Sequence, residues 1–261
     1  AVYEYIQTSK DNAFLQEVWD VLKRIMTAYE KGTDYHIGMD SDCLIQAGAD
    51  LEQLTWMDVR VGNYLPTPRH GKPVEINAYW YNDLEIMKQF ALLQQDNELA
   101  QHYAELADKV KEAFLLKFWN EEENCLKDVL SENSEENQVR CNQVWVLSMP
   151  YTMLPKEKEL CVLHKIKEEL YTTAGLRTLS PKDSAFHDIY IGSMQERDRA
   201  YHQGTVWAFP LGAYYRAWIK YLRQDASDKT SAYKAELAEG IEAIRYWLCL
   251  LYTSDAADEA R

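Results

Sequence analysis

The sequence predicts an all-α protein built from helical hairpins. Three observations carry this. Apolar residues recur at i and i+3/i+4 through most of the chain, the helical segments follow one another across short links, and strand candidates are brief, Leu126–Leu130 being the clearest.

Taken in order, the first helix runs from Ala13 to Lys31, with Phe14, Val18, Val21, Leu22, Ile25 and Met26 on one face and Asp11 or Asn12 as its cap. Val74 to Gln95 follows Pro73, a residue suited to opening a helix, and carries Ile76, Tyr79, Trp80, Leu84, Met87 and Leu92. Leu99 to Trp119 comes next, after a break at Asp96-Asn97. Gln143 to Leu154 and Lys156 to Tyr171 are divided by Pro155, and Val206 to Arg223 and Ser231 to Leu250 complete the set. Three long segments lack the period: Gly32–Lys72, Ser131–Asn142 and Thr172–Gly204. The first and third are rich in Trp, Tyr, Asp, Arg and His and read as ordered and functional. The second opens Ser-Glu-Asn-Ser-Glu-Glu-Asn and reads as a solvated surface turn.

Residues 1–250 read as one domain. From Leu251 the amphipathic pattern stops, and residues 251–261 are small and acidic, so they read as a non-native tail outside the fold. The opening Ala1-Val2-Tyr3-Glu4-Tyr5 has the character of the middle of a longer chain.

The formal charge of -14, from 42 acidic and 28 basic residues, repels phosphate backbones and anionic lipid, which argues against nucleic acid and membrane surfaces as partners. No apolar run reaches the ~18 residues that span a bilayer. Five scattered cysteines without CxxC spacing argue against a disulfide framework and a structural zinc, and they fit a reducing cytoplasm. The aromatic residues are weighted to polar-edged rings, eight Trp and eighteen Tyr against six Phe. That balance suits packing against pyranose rings as well as ordinary helical cores.

Four polar clusters stand at helix openings. Thr55-Trp56-Met57-Asp58 sets a carboxylate beside an aromatic. The run from Pro66 to Ala78 projects Arg69, Lys72, Glu75 and Asn77 from a Pro- and Gly-fixed loop, Glu75 lying where a helix dipole favours a carboxylate. Arg140-Cys141-Asn142-Gln143-Val144-Trp145 and Arg197 to Trp207, with Tyr201, His202 and Gln203, are the others, accompanied by Gly175-Leu176-Arg177-Thr178-Leu179-Ser180-Pro181. Each has an ordinary reading as a capping network or surface salt bridge.

Together these runs (TWMD, TPRHGKPVEINAYWYN, RCNQVW, GLRTLSP and RDRAYHQGTVW) resemble the C-terminal amylo-α-1,6-glucosidase domain of glycogen debranching enzymes, in the prokaryotic form, over nearly the whole chain to Leu250. The resemblance implies an (α/α)6 toroid, of which this chain supplies the part after the early hairpins. It also implies hydrolysis of α-1,6 branch points in glycogen or limit dextrin, in the cytoplasm and without a cofactor. Such hydrolysis needs one carboxylic acid to protonate the leaving oxygen. An inverting enzyme adds a carboxylate that activates water, roughly 6.5–9.5 Å away. Asp58 matches the family's general acid, and its neighbours Trp56 and Met57 are expected to supply apolar surroundings that keep it protonated. Eukaryotic members carry a Glu just before the Trp of the HQG motif, where this sequence has Val206 before Trp207. That departure leaves the second carboxylate open among Asp198, Glu196 and Glu75, with Asp198 preferred over Glu75. Trp56, Trp80, Tyr81, Tyr201 and Trp207 are expected as sugar platforms, and Arg69, Lys72, Asn77, Asn142, Gln143, Arg177, His202 and Gln203 as hydrogen-bonding groups. His202 has no HxxxH or HxxE partner, so no metal is expected.

Three other readings compete. A trehalase-like or glucosidase-like toroid hydrolase would release glucose from a small sugar rather than from limit dextrin. A catalytically silent glucan-binding domain would bind glycogen without cleaving it. A purely structural helical scaffold is disfavoured, because such arrays need a visible period.

Overall fold

The computed structural model describes residues 1–131, 137–224 and 230–258, with side chains to residue 246 in the last stretch. Helix dominates. Among the described residues the α-helices are α1 (Val2–Ser9), α2 (Asn12–Lys31), α3 (Val74–Leu93), α4 (Asn97–Phe118), α5 (Val144–Ser148), α6 (Lys156–Lys165), α7 (Met194–Ala200), α8 (Pro210–Gln224) and α9 (Thr230–Asp258). The strands are short: β1 (Gly38–Met39), β2 (Ile45–Gln46), β3 (Lys72–Pro73), β4 (Trp119–Asn120), β5 (Cys125–Leu126), β6 (Val129–Leu130), β7 (Tyr171–Thr172), β8 (Gly175–Arg177) and β9 (Val206–Trp207). They form antiparallel pairs β1–β2, β3–β6 and β4–β5 and one three-stranded sheet β7–β8–β9.

Local chemistry accounts for most boundaries. Asp11 caps α2 by accepting from the Phe14 N–H at 3.0 Å, and Asp96 caps α4 by accepting from Leu99 at 3.0 Å. Between α3 and α4 lie only Gln94, Gln95 and Asp96, with Gln95 left-handed at φ 61°, so the two helices pack as a hairpin. Their shared face buries Leu84, Phe90, Ala107, Val110, Phe114 and Phe118, the last two stacked at 4.4 Å. α8 packs on α5 and α6 and adds Tyr214 and Trp218 to the same core.

The structure departs from the sequence reading at α1, which was not expected, and in three further places. The helix expected over Gln143–Leu154 ends at Ser148, because Pro150 holds Met149 extended (ψ 158°). Val206 and Trp207, expected to open a helix, pair instead with Arg177 and Leu176, and α8 starts at Pro210, where a missing N–H does no harm. α7 lies inside a segment read as irregular. Its capping box is complete, Ser193 accepting from the Glu196 N–H while the Glu196 carboxylate accepts from the Ser193 N–H. The backbone of α9 is helical through Asp258, past the Leu251 boundary expected from composition. Residues 259–261 and most of the acidic turn at 132–136 lie outside the described residues.

Candidate functional site

The site is assembled around Trp56. Ring centroids of Phe209, His202, Trp207 and Trp145 stand 4.9, 5.2, 6.1 and 6.3 Å from it, the first three nearly perpendicular. Tyr201 continues the cluster at 5.0 Å from Trp207, and Tyr190 stands 5.8 Å from Tyr201. Trp56, Trp145, Tyr201 and Trp207 are half-buried and Phe209 is 53% exposed, so the cluster keeps accessible aromatic surface. Three backbone devices bring these rings together: the loop after β2, the 3₁₀ turn Cys141–Gln143 that opens α5, and the turn from α7 into β9. Within that turn Gly204 has φ 130°, and a Cβ there would stand 2.5 Å from the Phe186 ring, so glycine alone fits.

Beneath the rings lies a buried polar network. Arg69 donates to both oxygens of Glu75, through Nη1 to Oε1 and through Nη2 to Oε2 at 2.6 Å, and its Nε donates to Asp128 Oδ2 at 2.7 Å. Asn142 Nδ2 donates to Asp128 Oδ1 at 2.8 Å, and Asn142 Oδ1 accepts from Trp56 Nε1 at 2.7 Å. Arg140 donates to the His202 carbonyl at 2.7 Å and to Gln203 Oε1 at 2.6 Å, while Gln203 Nε2 donates to the Pro66 carbonyl. Four sequence runs up to 137 residues apart are thereby joined.

The electrostatics are balanced. Two guanidiniums, Arg69 and Arg140, face two carboxylates, Glu75 and Asp128, all at most 5% exposed. Burial works against the Arg69 charge, but Asp128 and Glu75 outweigh it and raise its pKa. Burial lowers that of Arg140, partly offset by Asp128. Burial, then the nearby Arg140 and Arg69, push the His202 imidazole down to about 4, so it stays neutral at ordinary pH. Its Nδ1 is buried with no hydrogen-bond partner among the described residues.

The residues singled out from sequence divide into three groups. Trp56, Tyr201, His202 and Trp207 share the ring cluster, with Arg69, Glu75, Asn142 and Gln203 in the network below. Asp58 is exposed and follows the fully buried Met57; the enclosing apolar surroundings expected for it are not there, since Met57 turns its sulfur to Asn142. Asp198 is half-buried on α7, three residues before Tyr201, and Glu196 serves the α7 capping box. Glu75 has both oxygens on Arg69 and is 2% exposed, so it is held in an ion pair away from the accessible surface.

The remaining residues lie elsewhere. Asn77 bonds both backbone groups of Ile45 and the Pro73 carbonyl, and Gln143 bonds Leu126 and Arg140 backbone groups. Trp80 donates to the Cys43 carbonyl, Tyr81 is a core residue, and Lys72 pairs with Asp40 and Asp42. Arg177 lies on β8, in register with Val206. Asp128, Trp145 and Phe209 join the site without having been expected there. For Asp128 a signal existed: in the Leu126–Leu130 run it sits in register with inward-facing Leu126, an acid where an apolar residue belongs.

Chemically the site offers flat aromatic faces over a buried, charge-balanced floor. Among the described residues no cluster of His, Cys, Asp and Glu is arranged to hold a metal, and no helix is long and apolar enough to cross a membrane.

A mannosyl-oligosaccharide glucosidase of Saccharomyces cerevisiae is 28% identical over 130 residues, 46% of this chain and 14% of that protein. The solved structure of a sialidase superposes on 82% of this chain with a TM-score of 0.63 at 16% identity, which is a likeness of fold. A GH78-family rhamnosidase of Bacillus sp. GL1 superposes on 64% with a TM-score of 0.43 at 18% identity. The chain spans 14% of the yeast protein and 18% of each of these two structures. The sequence profile of amylo-alpha-1,6-glucosidase matches residues 1–249, and the chain belongs to that family.

Proposed function

We propose that this protein is the glycosidase part of a debranching enzyme, hydrolysing α-1,6-glucosidic branch points of glycogen or limit dextrin with inversion, in the cytoplasm. The observation that carries this reading is the convergence of the Thr55–Asp58 and Tyr201–Trp207 runs on one accessible ring cluster, with Trp56 and His202 only 5.2 Å apart. The matched family and the yeast glucosidase support a glucosidic substrate. The helical hairpins are read as part of an (α/α)6 toroid, with the cluster at its mouth.

In this mechanism Trp56, Tyr201, Trp207 and Phe209 bind the faces of glucosyl rings. Asp58 protonates the leaving oxygen, a role its exposure allows. Asp198 takes the place of the absent Glu before Trp207 and activates the attacking water. Glu75 is set aside because Arg69 holds both of its oxygens.

The test is Asp58→Asn, assayed for glucose release from limit dextrin. Turnover should fall by about 10²–10⁴-fold while glucan affinity holds, since the proton is needed in the transition state. Glucosyl fluoride, whose leaving group needs little protonation, should be cleaved by this variant far better than dextrin. Asp198→Asn should not show that selective recovery. Near-parental cleavage of dextrin by Asp58→Asn would end the assignment. Binding without cleavage by the parent protein would point instead to a silent glucan-binding domain.

A further inference from the structure

The buried network has a direction, and that direction assigns a task to Asp128. An indole N–H can only donate, so the atom of Asn142 that meets Trp56 Nε1 at 2.7 Å is its carbonyl oxygen. The amide nitrogen of Asn142 then faces the other way, to Asp128 Oδ1 at 2.8 Å, with Met57 Sδ at 3.5 Å. It needs an acceptor there. Asp128 Oδ2 must accept in turn from Arg69 Nε at 2.7 Å. Position 128 therefore has to present acceptors on both sides, which a carboxylate does and an amide does not.

We propose that Asp128 is the positioning residue of the ring cluster: acting through Asn142, it fixes the orientation of the Trp56 indole. Trp56 contacts four other rings, so its orientation sets the shape of the accessible surface. The value of that surface for sugar rests on the glycosidase reading; the control of the indole by Asp128 does not. Arg69 anchors the relay at its far end, held by Glu75 on its other side. Asp128 and Asn142 are 5% and 0% exposed, so water cannot substitute for a lost partner.

The relay makes an unusual demand of Asp128→Asn. Whichever way the new amide turns, one donor meets another, either Asn142 Nδ2 or Arg69 Nε. If Asn142 flips to relieve this, its NH₂ confronts the Trp56 N–H. Asp128→Asn combined with Asn142→Asp restores the order of donors and acceptors. The carboxylate now at position 142 accepts from Trp56 and from the NH₂ now at position 128, and the amide oxygen at 128 accepts from Arg69.

The experiment follows the indole N–H resonance of Trp56 in ¹⁵N-tryptophan-labelled protein, assigned with Trp56→Phe, alongside maltooligosaccharide affinity. Asp128→Asn and Asn142→Ala should each shift or broaden that resonance and weaken affinity about tenfold, the effect of one lost hydrogen bond of ~1.4 kcal/mol. The exchanged pair should return the resonance toward its parental position. A parental Trp56 resonance in both single variants, whatever their melting temperature, would overturn the proposal and leave Asp128 a purely structural residue. Failure of the exchanged pair to recover the resonance would overturn the acceptor argument. Should Asp128→Asn not fold, the exchanged pair decides: recovery of folding with a near-parental Trp56 resonance supports the relay, and failure to recover either overturns it. If the resonance responds as expected but no saccharide binds the parent protein, the glycosidase reading fails while the positioning role stands.

Discussion

Arg69 and Lys72 are three residues apart, and each meets two carboxylates, yet they do different work. Arg69 is 2% exposed and bridges Glu75 and Asp128 under the ring cluster. Lys72 lies on β3 at a side-chain exposure of 14%, 2.7 Å from both Asp40 and Asp42, and Lys117 also pairs with Asp42. Between them Gly71, at φ 98°, passes so close to β6 that a Cβ would stand 2.3 Å from the Leu130 carbonyl. In both cases burial opposes the charge and the paired carboxylates overcome it, raising each pKa. The difference is in what remains when one partner is removed. A buried carboxylate left alone has no solvent to turn to, whereas a surface one has water within reach.

This contrast can be broken by experiment, most severely at Arg69. Arg69→Met leaves Glu75 and Asp128 facing each other in the interior and should cost ~3–5 kcal/mol, read as a fall in urea midpoint. A loss below about 1 kcal/mol would mean that water reaches the network.

Acid should act next, through His202. Its folded pKa of about 4 lies below the ordinary 6.5, so on acidification the unfolded chain takes up the proton first. Stability should therefore fall as pH drops from about 6.5 to about 4 and lose no further His202 contribution below that, a loss on the order of 3 kcal/mol. The groups that oppose its protonation are Arg140 and Arg69. Desolvation raises the Asp83 carboxyl to about 6, and its contribution runs in the opposite sense over this window, so the His202 part is read as the difference between parent and His202→Asn urea midpoints; parallel curves for the two would place the titration elsewhere.

Lys72→Ala should do least, ~0.5–1 kcal/mol, and that effect should shrink in high salt. If Lys72→Ala destabilises as much as Arg69→Met, exposure is the wrong basis for separating the two clusters.

The helical framework was legible because its signals are local. The apolar period of α3 and α4 and the Asp caps of α2 and α4 depend on neighbours within a few positions. Even α7, lost in a segment without apolar period, had its Ser193-Met194-Gln195-Glu196 capping signature in plain view. What failed locally was the start at Val206, where strand pairing with β8 overrode helical period. The site was legible as motifs but not as roles. Asn77 and Gln143 carry the donors that suit a sugar hydroxyl, yet both bond to backbone groups distant in sequence, which no local pattern announces. Asp128 stood outside every motif, and its importance arises only when Arg69, 59 residues away, folds against it.

The bond from Gln203 to the Pro66 carbonyl spans 137 residues, and it also sets the order in which the molecule can be made. The α3–α4 hairpin closes over three residues and can form as soon as both helices leave the ribosome, whereas joining Pro66 to Gln203 must wait for the intervening chain and bear its loop-closure entropy. At 5–20 residues per second that wait is on the order of ten seconds. Throughout it Trp56 has neither His202 nor Trp207 to pack against, and a growing chain with an unpaired aromatic surface is a client for chaperones. The long reach that assembles the ring cluster thus makes it form well after the α3–α4 hairpin.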